Sequence, residues 1–470
     1  MPFIPAMLWT DALIYILVGC LVLAGFYVRS QEHLLVVWRK VLQSRPGMAA
    51  LTVLLVFVAV GLLDSLHYRP RDAQGEIRSA LDALLVRLKT DSEKTYSAPF
   101  ATHLYAKETV EREDGSQASV YPRLKYGGAH LADPAQSFAD ILARASVAVI
   151  VAFAAWLVVS AAVTVRLARA AQIGFARAAR GIARGETEVA WNAILLATGV
   201  IALLAVPALM LSSHYHIFGT DKVGNDVFFL TLKSIRTGLV IGTLTTLTML
   251  PFAAALGILA GYLGGIVDDV IQYIYATLSS IPGVLLIAAA VLMMRVVIDS
   301  HPQWFATTAE RADARLLALC LILGVTSWTG LCRLLRAEAL KLRELEYVQA
   351  ARAFGVSNAR IMLRHILPNV MHIVLISLVM DFSGLVLAEA VLSYVGIGVD
   401  PSTTSFGTMI NTARLELARE PVVWWSLAAA FTFMLALVLS ANLFSDAVRD
   451  ALDPHTRSRA ARLSAARAAP

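Results

Sequence analysis

Long apolar runs recur along this chain, and they decide its class before any motif does. A helix needs roughly 20 mostly apolar residues to cross the hydrocarbon core of a bilayer. Segments of that kind begin near Met7, Met48, Ala145, Trp191, Thr237, Val270, Leu316, Val370 and Val422. Of the 470 residues, 58% are hydrophobic and only 16% charged, too little polar surface for a soluble chain of this length. The expected fold is therefore an all-α polytopic membrane protein. Cys20, Cys320 and Cys332 fall within or at the end of apolar runs with no Cys-x-x-Cys, which argues for buried apolar thiols over a disulfide framework or zinc site. Residues 7–28 lack a basic leader and an Ala-x-Ala-like cleavage site and read as a retained span.

Positive charge in short loops marks the cytoplasmic side. Arg29, Arg39, Lys40 and Arg45 lie between the first two spans, and Arg166, Arg169, Arg177, Arg180 and Arg184 between the third and fourth. Seven Lys/Arg surround Gln349, and the tail adds Arg449, Arg457, Arg459, Arg462 and Arg467. Loops 213–233, 299–315 and 396–421 are balanced or slightly acidic. Nine spans with the N-terminus outside and the C-terminus cytoplasmic satisfy all of these loops except 261–269, which holds only Asp268 and Asp269. The organisation expected is two spans in 1–66, an extracytoplasmic loop domain in 67–144, and a third span with a basic linker in 145–190. A membrane core in 191–457 follows, then a tail in 458–470. In the loop domain, Ile77, Leu81, Leu84, Leu85 and Leu88 predict an amphipathic helix.

The polar insert at 336–368 separates two apolar runs. Residues 337–354 are rich in strong helix formers, Gly355 suits the position just past a helix end, and Ser357 suits the start of a short second helix. Ala350 and Ala351 leave a flat surface ringed by Arg352, Arg360 and Arg364. Such a knob fits a groove on a soluble protein. The same run is also compatible with a DNA-binding helix-turn-helix, but two tethers to the membrane leave no room for a third helix or a dimer. Nucleic acid is not expected as a partner.

The insert resembles the cytoplasmic coupling loop of ABC-importer permeases, Glu-Ala-Ala-x3-Gly-x9-Ile-x-Leu-Pro, through Ala350, Ala351, Gly355, Leu367 and Pro368. Gln349 replaces the Glu and His365 the first Ile, as in the dipeptide/oligopeptide/nickel branch. The segment His216-Ile-Phe-Gly-Thr-Asp-Lys-Val-Gly-Asn-Asp-Val is similar to a motif of that branch's C-type permease, with Asn225 in place of an Arg. Residues 260–268, 387–398 and 445–454 also look like family stretches. The resemblance covers about 191–457 and implies a six-helix importer-type core preceded by three extra spans, in a bacterial inner membrane. It implies ATPase subunits that grip Glu346, Gln349, Ala350, Ala351, Arg352, Gly355, Arg364, Leu367 and Pro368. A second homologous permease and an extracytoplasmic solute-binding protein would complete the importer, with peptides, nickel complexes or other small solutes as cargo.

Asp381 and Glu389 lie in one span about 80° apart around the helix, and intramembrane carboxylates are candidates for a transport pathway. They also leave open burial against neighbouring helices. Pro282 is a third pathway candidate because breaks at proline can line a substrate path. His214-x-His216 is too small a set for a metal site and reads as interfacial. Trp424 and Trp425 read as an outer-interface anchor. The Gly-x4-Gly-Lys-Ser/Thr phosphate loop and the common catalytic motifs do not occur, so no cofactor or enzymatic site is expected and ATP hydrolysis falls to a partner. Two other classes remain open, an ion- or proton-coupled secondary transporter using Asp381 and Glu389, and a signalling receptor sensing through residues 67–144.

Overall fold

The computed structural model describes residues 3–70, 77–111, 117–305 and 307–452. Arg457 and the tail expected at 458–470 lie outside them. In chain order the helices are α1 Trp9–Ser30, α2 Glu32–Gln43, α3 Arg45–Ser65, α4 Ala80–Leu84, α5 Val86–Thr90, α6 Ser137–Ala170, α7 Phe175–Arg184 and α8 Trp191–Leu211. They continue as α9 Val227–Leu263, α10 Gly265–Ser280, α11 Gly283–Ser300, α12 Thr308–Ser327, α13 Thr329–Arg343 and α14 Glu346–Ala353. Next come α15 Asn358–Ile361, a π-helical turn Met362–Ile366, α16 Leu367–Tyr394, α17 Phe406–Glu416 and α18 Trp425–Leu452. The only sheets among the described residues are antiparallel β1 Phe3–Pro5, β2 His67–Pro70 and β3 Arg78–Ser79, and the pair β4 Glu108–Glu111 and β5 Gln117–Val120.

Eight helices among the described residues are long and apolar enough to cross a membrane, and α12 with α13, bent by 41°, gives a ninth if the pair is counted as one span. The span expected from Val270 is interrupted: α10 stops at Ser280, and α11 begins after Ile281 and Pro282. The cause is local, since a residue before proline is driven out of helical geometry. Ile281 is extended, at φ −90° and ψ 131°. The third span starts at Ser137, earlier than the apolar run near Ala145 suggested.

The chain divides into two compact units. One comprises Met1–Ala6, Tyr27–Thr237 and Thr404–Ala447. Here α8 packs on α3 and α6, and Trp156 Nε1 donates to the Leu195 carbonyl at 2.7 Å. The expected amphipathic helix at 77–88 forms as α4 and α5, started by a reciprocal Ser79–Asp82 capping box. Leu81, Leu85 and Leu88 are buried with Leu211, Tyr215, Ile217, Phe228 and Phe229, whereas Leu84 points outward. The segment thus shares its core with the ends of α8 and α9.

The other unit comprises Met7–Phe26, Gly238–Thr403 and Val448–Pro470. Its larger apolar cluster joins α9 and α13 to the residues around α14 and α15, including Leu335, Val348, Ile361, Ile366 and Val370. Gly257 and Gly261 allow this approach. A Cβ on Gly257 would lie 2.7 Å from the Cys332 carbonyl oxygen, and one on Gly261 would lie 2.5 Å from that of Arg336. Small residues at such crossings let membrane helices pack backbone to backbone. Cys320 and Cys332 are buried as expected, but Cys20 is exposed on α1.

Gly261→Ala is expected to destabilise the protein by about 1–3 kcal/mol through overpacking. Gly330→Ala, where an added Cβ meets nothing within 4 Å, serves as the comparison. Thermal unfolding in detergent should show a clear loss for the first variant and little change for the second.

Candidate functional site

The polar insert folds into three pieces. The helix expected over 337–354 is broken at Glu344 and Leu345, so α14 stands as a separate two-turn helix. Gly355 ends it at φ 76°, with Val356 N–H donating to the Ala351 carbonyl at 3.1 Å and Gly355 N–H to that of Arg352 at 3.0 Å. This is the Schellman arrangement, which closes the carbonyls a helix end leaves open. Ser357 occupies the next N-cap position but its side chain makes no capping bond. The short helix expected after it continues through the π turn into α16, so residues 358–394 form one apolar stretch with Pro368 in its first turn.

One side of α14 is fastened and the other is open. Val348 is 1% exposed and packs into the α9–α13 cluster with Ala351 and Val356. Glu346, Gln349, Ala350, Arg352 and Gly355 are exposed, and Phe354 is 87% exposed. Arg364 and Pro368 are exposed nearby, and Leu367 is half-buried. Gln349 Nε2 donates to the Glu344 carbonyl at 3.2 Å, bridging the break before α14. A polar recess of about 510 Å³ lies beside it, lined by Tyr262, Arg343, Gln349 and Arg352 among others.

The braces holding this element were not recognised in the sequence. Arg336 donates from Nε and Nη2 to the two Asp268 carboxylate oxygens at 2.5 and 2.6 Å. The planar fork fits a carboxylate through two bonds at once. Tyr262 Oη donates to Asn358 Oδ1 at 3.1 Å, and Asn369 Nδ2 to Tyr347 Oη at 3.1 Å. Asp268 had a sequence signal after all, as half of the one acidic connection that broke the charge pattern. Its charge is paired with α13.

The pathway candidates separate. Glu389 is 1% exposed and accepts a hydrogen bond from Ser393 Oγ at 2.6 Å. Asp381 is half-buried and has no side-chain hydrogen bond or ion pair among the described residues. Pro282 is exposed between α10 and α11, beside exposed Val284 and Leu285.

In the first unit, the His216–Val227 segment is covered by residues 93–102 and 125–128. Thr220 Oγ1 accepts from Ser97 N–H at 2.6 Å and donates to the Thr95 carbonyl at 2.8 Å. Gly224, at φ 84°, lies so close to Glu93 that a Cβ would fall 1.8 Å from the Glu93 carbonyl oxygen. Asp226 caps α9 by accepting from Phe228 and Phe229 N–H at 2.8 and 3.2 Å. Asn225, where the resembled motif has Arg, closes a turn on Asp221. Two expectations are corrected here. His216 is neither interfacial nor a ligand: its Nδ1 lies 2.7 Å from Asp226 and its Nε2 3.4 Å from Glu93, all three residues buried. Trp425 is no surface anchor either, since it is 2% exposed and donates to the Thr220 carbonyl at 3.0 Å, leaving Trp424 at the surface. Among the described residues no group of three or more His, Cys, Asp and Glu is placed to hold a metal.

The sequence family described as the binding-protein-dependent transport system inner membrane component matches residues 253–458. The oligopeptide transport system permease protein OppC of Mycobacterium tuberculosis is 30% identical over 243 residues, covering 52% of this chain and 77% of that protein. The chain belongs to this family. It is an all-α ABC-importer permease, which disfavours the secondary-transporter and receptor readings. The dipeptide transport system permease protein DppC of Lactococcus lactis is likewise 30% identical, over 51% of this chain and 64% of its own. A solved structure of the MetNI methionine ABC transporter in inward-facing conformations aligns with 48% of the chain and 98% of its own, at 16% identity and a TM-score of 0.36.

The buried His216 cluster makes the cover over residues 216–227 sensitive to pH. Burial lowers the pKa of His216, but its bond to Asp226 and the nearby Glu93 outweigh burial and raise it to about 9. Burial raises that of Glu93, and bonds from His216 and the Lys125, Tyr126 and Gly127 amides bring it down to about 2. The imidazolium's contribution is full below its ordinary value near 6.5 and is lost as pH rises through about 9. The Glu93 contribution is full above about 4.5 and is lost as pH falls through about 2. Hydrogen exchange at the Lys125–Gly127 amides should accelerate between pH 7 and 10 beyond its intrinsic base dependence. In His216→Gln that extra acceleration should be absent.

Proposed function

We propose that this permease forms one side of a transmembrane pathway for peptides and takes its power stroke from separate ATPase subunits that grip α14. What supports the peptide class is the naming of its relatives as oligopeptide and dipeptide permeases. The observation that carries the coupling reading is the construction of α14. It is a two-turn helix locked to the membrane core on its Val348 side, bare on its Gln349–Ala350–Phe354 side, and joined to α16 without a flexible linker.

A push on such an element passes into the bundle along two rigid routes. The Gly257/Gly261 contact and the Asp268–Arg336 pair link it to α9 and α10. The π turn and Pro368 link it to α16, the helix that carries Asp381. The exposed apolar surface of α10 and α11 around Pro282 suits a second, homologous permease, with the pathway closing between the two. Cargo arrives from a solute-binding protein on the outer side. Positive charge around α14 supports a cytoplasmic position for that element and for the C-terminus, and nine spans, with α12 and α13 counted as one, would put the N-terminus outside. The core of this machinery is 191–457, with 1–190 as an addition to it.

Gly355 tests the coupling. Its φ of 76° excludes β-branched residues, whereas Asn adopts such angles with little strain, and an added Cβ meets nothing within 4 Å. Gly355→Val should abolish ATPase co-purification and uptake while the protein still reaches the membrane, and Gly355→Asn should keep most of both. Equal uptake by the two variants would remove α14 from the transport cycle.

A further inference from the structure

The N-terminal spans carry a second polar surface that neither the importer core nor the outer cover uses. On α7, Arg177, Arg180 and Arg184 recur at i, i+3 and i+7, while Ala178 and Ile182 on the opposite side are buried. This helix packs against α6 and α8, and its last residue meets the start of α3. Arg45 Nη2 donates to the Arg184 carbonyl at 3.1 Å, and Ala190 N–H to that of Leu42 at 2.8 Å. Residues 29–45 hold four Lys/Arg and residues 166–190 five, against three Glu in all. Of these cations only Arg184 meets a carboxylate among the described residues, Glu186 at 3.9 Å between two exposed side chains. The protein therefore leaves this concentration of positive charge to something outside itself.

Its apolar neighbours point to what that is. Val36, Trp38 and Phe175 are 52%, 40% and 52% exposed at the same end of the spans, beside Arg39, Lys40 and Arg177. At about 1.5 Å per residue the 34-residue α6 is about 51 Å long, well beyond a hydrocarbon core of about 30 Å. Its final turns, with Arg166 and Arg169, reach the headgroup layer. Exposed aromatic and aliphatic side chains interleaved with unpaired cations at that depth match a lipid interface, where the stems enter the acyl boundary and the charges meet headgroups. An acidic cytoplasmic protein would satisfy the charge but not the membrane-level apolar rim.

We propose that α2 and α7 form a collar at headgroup level that binds anionic phospholipid. The test uses the full chain in nanodiscs of phosphatidylcholine with a minority of phosphatidylglycerol, measuring immobilised spin-labelled lipid of each kind. The wild-type chain should prefer phosphatidylglycerol by about fivefold or more, equivalent to the surface attraction of at least one cation, and salt should weaken the preference. Arg39→Gln, Lys40→Gln, Arg177→Gln and Arg180→Gln combined should abolish it with no change in Tm, since none of these side chains is paired among the described residues. The matching variant with lysine at positions 39, 177 and 180 should keep it. Equal retention of both lipids by the wild-type chain overturns the proposal, as does undiminished selectivity in the glutamine variant. A glutamine variant that keeps lipid selectivity but loses a co-purifying acidic protein assigns the surface to that protein instead.

Discussion

The backbone-to-backbone crossing of α9 and α13 is the contact on which the position of α14 depends. Gly257 and Gly261 remove the side chains that would hold the helices apart, which lets Leu335 and Ala339 pack directly against α9. Only at that separation does the cluster enclose Val348, and Val348 is what pins α14. The Asp268–Arg336 pair reinforces the same junction from the other side of the Gly264–Gly265 turn, whose positive φ angles glycine adopts readily. A knob that must transmit force has to be stiffer than the link it drives. Here the stiffness comes from close packing and a bidentate ion pair, and the Schellman turn at Gly355 keeps the far end of α14 from fraying.

The cover over residues 216–227 follows a different logic. Residues 67–133 have few apolar side chains, and Leu81, Leu85 and Leu88 are buried with the ends of α8 and α9. The Gly-Thr-Asp segment supplies the docking strip, and its glycines are needed because the covering chain comes into backbone contact at Gly219 and Gly224. A buried imidazolium between two carboxylates then ties residue 93 to the start of α9. An ion pair in such a place loses hydration, and amide bonds to Glu93 and the cap bonds to Asp226 offset that loss. The N-terminal extension thus supplies both this cover and, through α2 and α7, a charged rim.

The sequence read well wherever one short stretch contains the whole cause. The spans were legible because a run of apolar residues is driven into lipid whatever its neighbours do, and the end of α14 at Gly355 because the angle there suits glycine. The expected helix over 337–354 failed at Glu344 and Leu345, where no glycine or proline marks a break. That break lets Val348 reach the cluster, a demand that arises in space and leaves no trace in the local pattern. The outward face of Leu84 and the exposure of Cys20 were misread for a related reason: apolarity was visible, but the side it would face was not.

By itself, then, the sequence determined a membrane protein of eight or nine spans with a basic polar knob, since transfer to lipid and helix capping act over a few neighbouring residues. Only the tertiary structure decided the fate of the polar groups. It buried His216 between Glu93 and Asp226, drew Asp268 to Arg336, enclosed Glu389 and gave Asp381 no ion pair among the described residues. The pairing of His216 with Glu93 and of Asp268 with Arg336 turns on which side chains come within about 3 Å of one another, the reach of a hydrogen bond. Residues more than sixty positions apart acquire that proximity only once the bundle has closed.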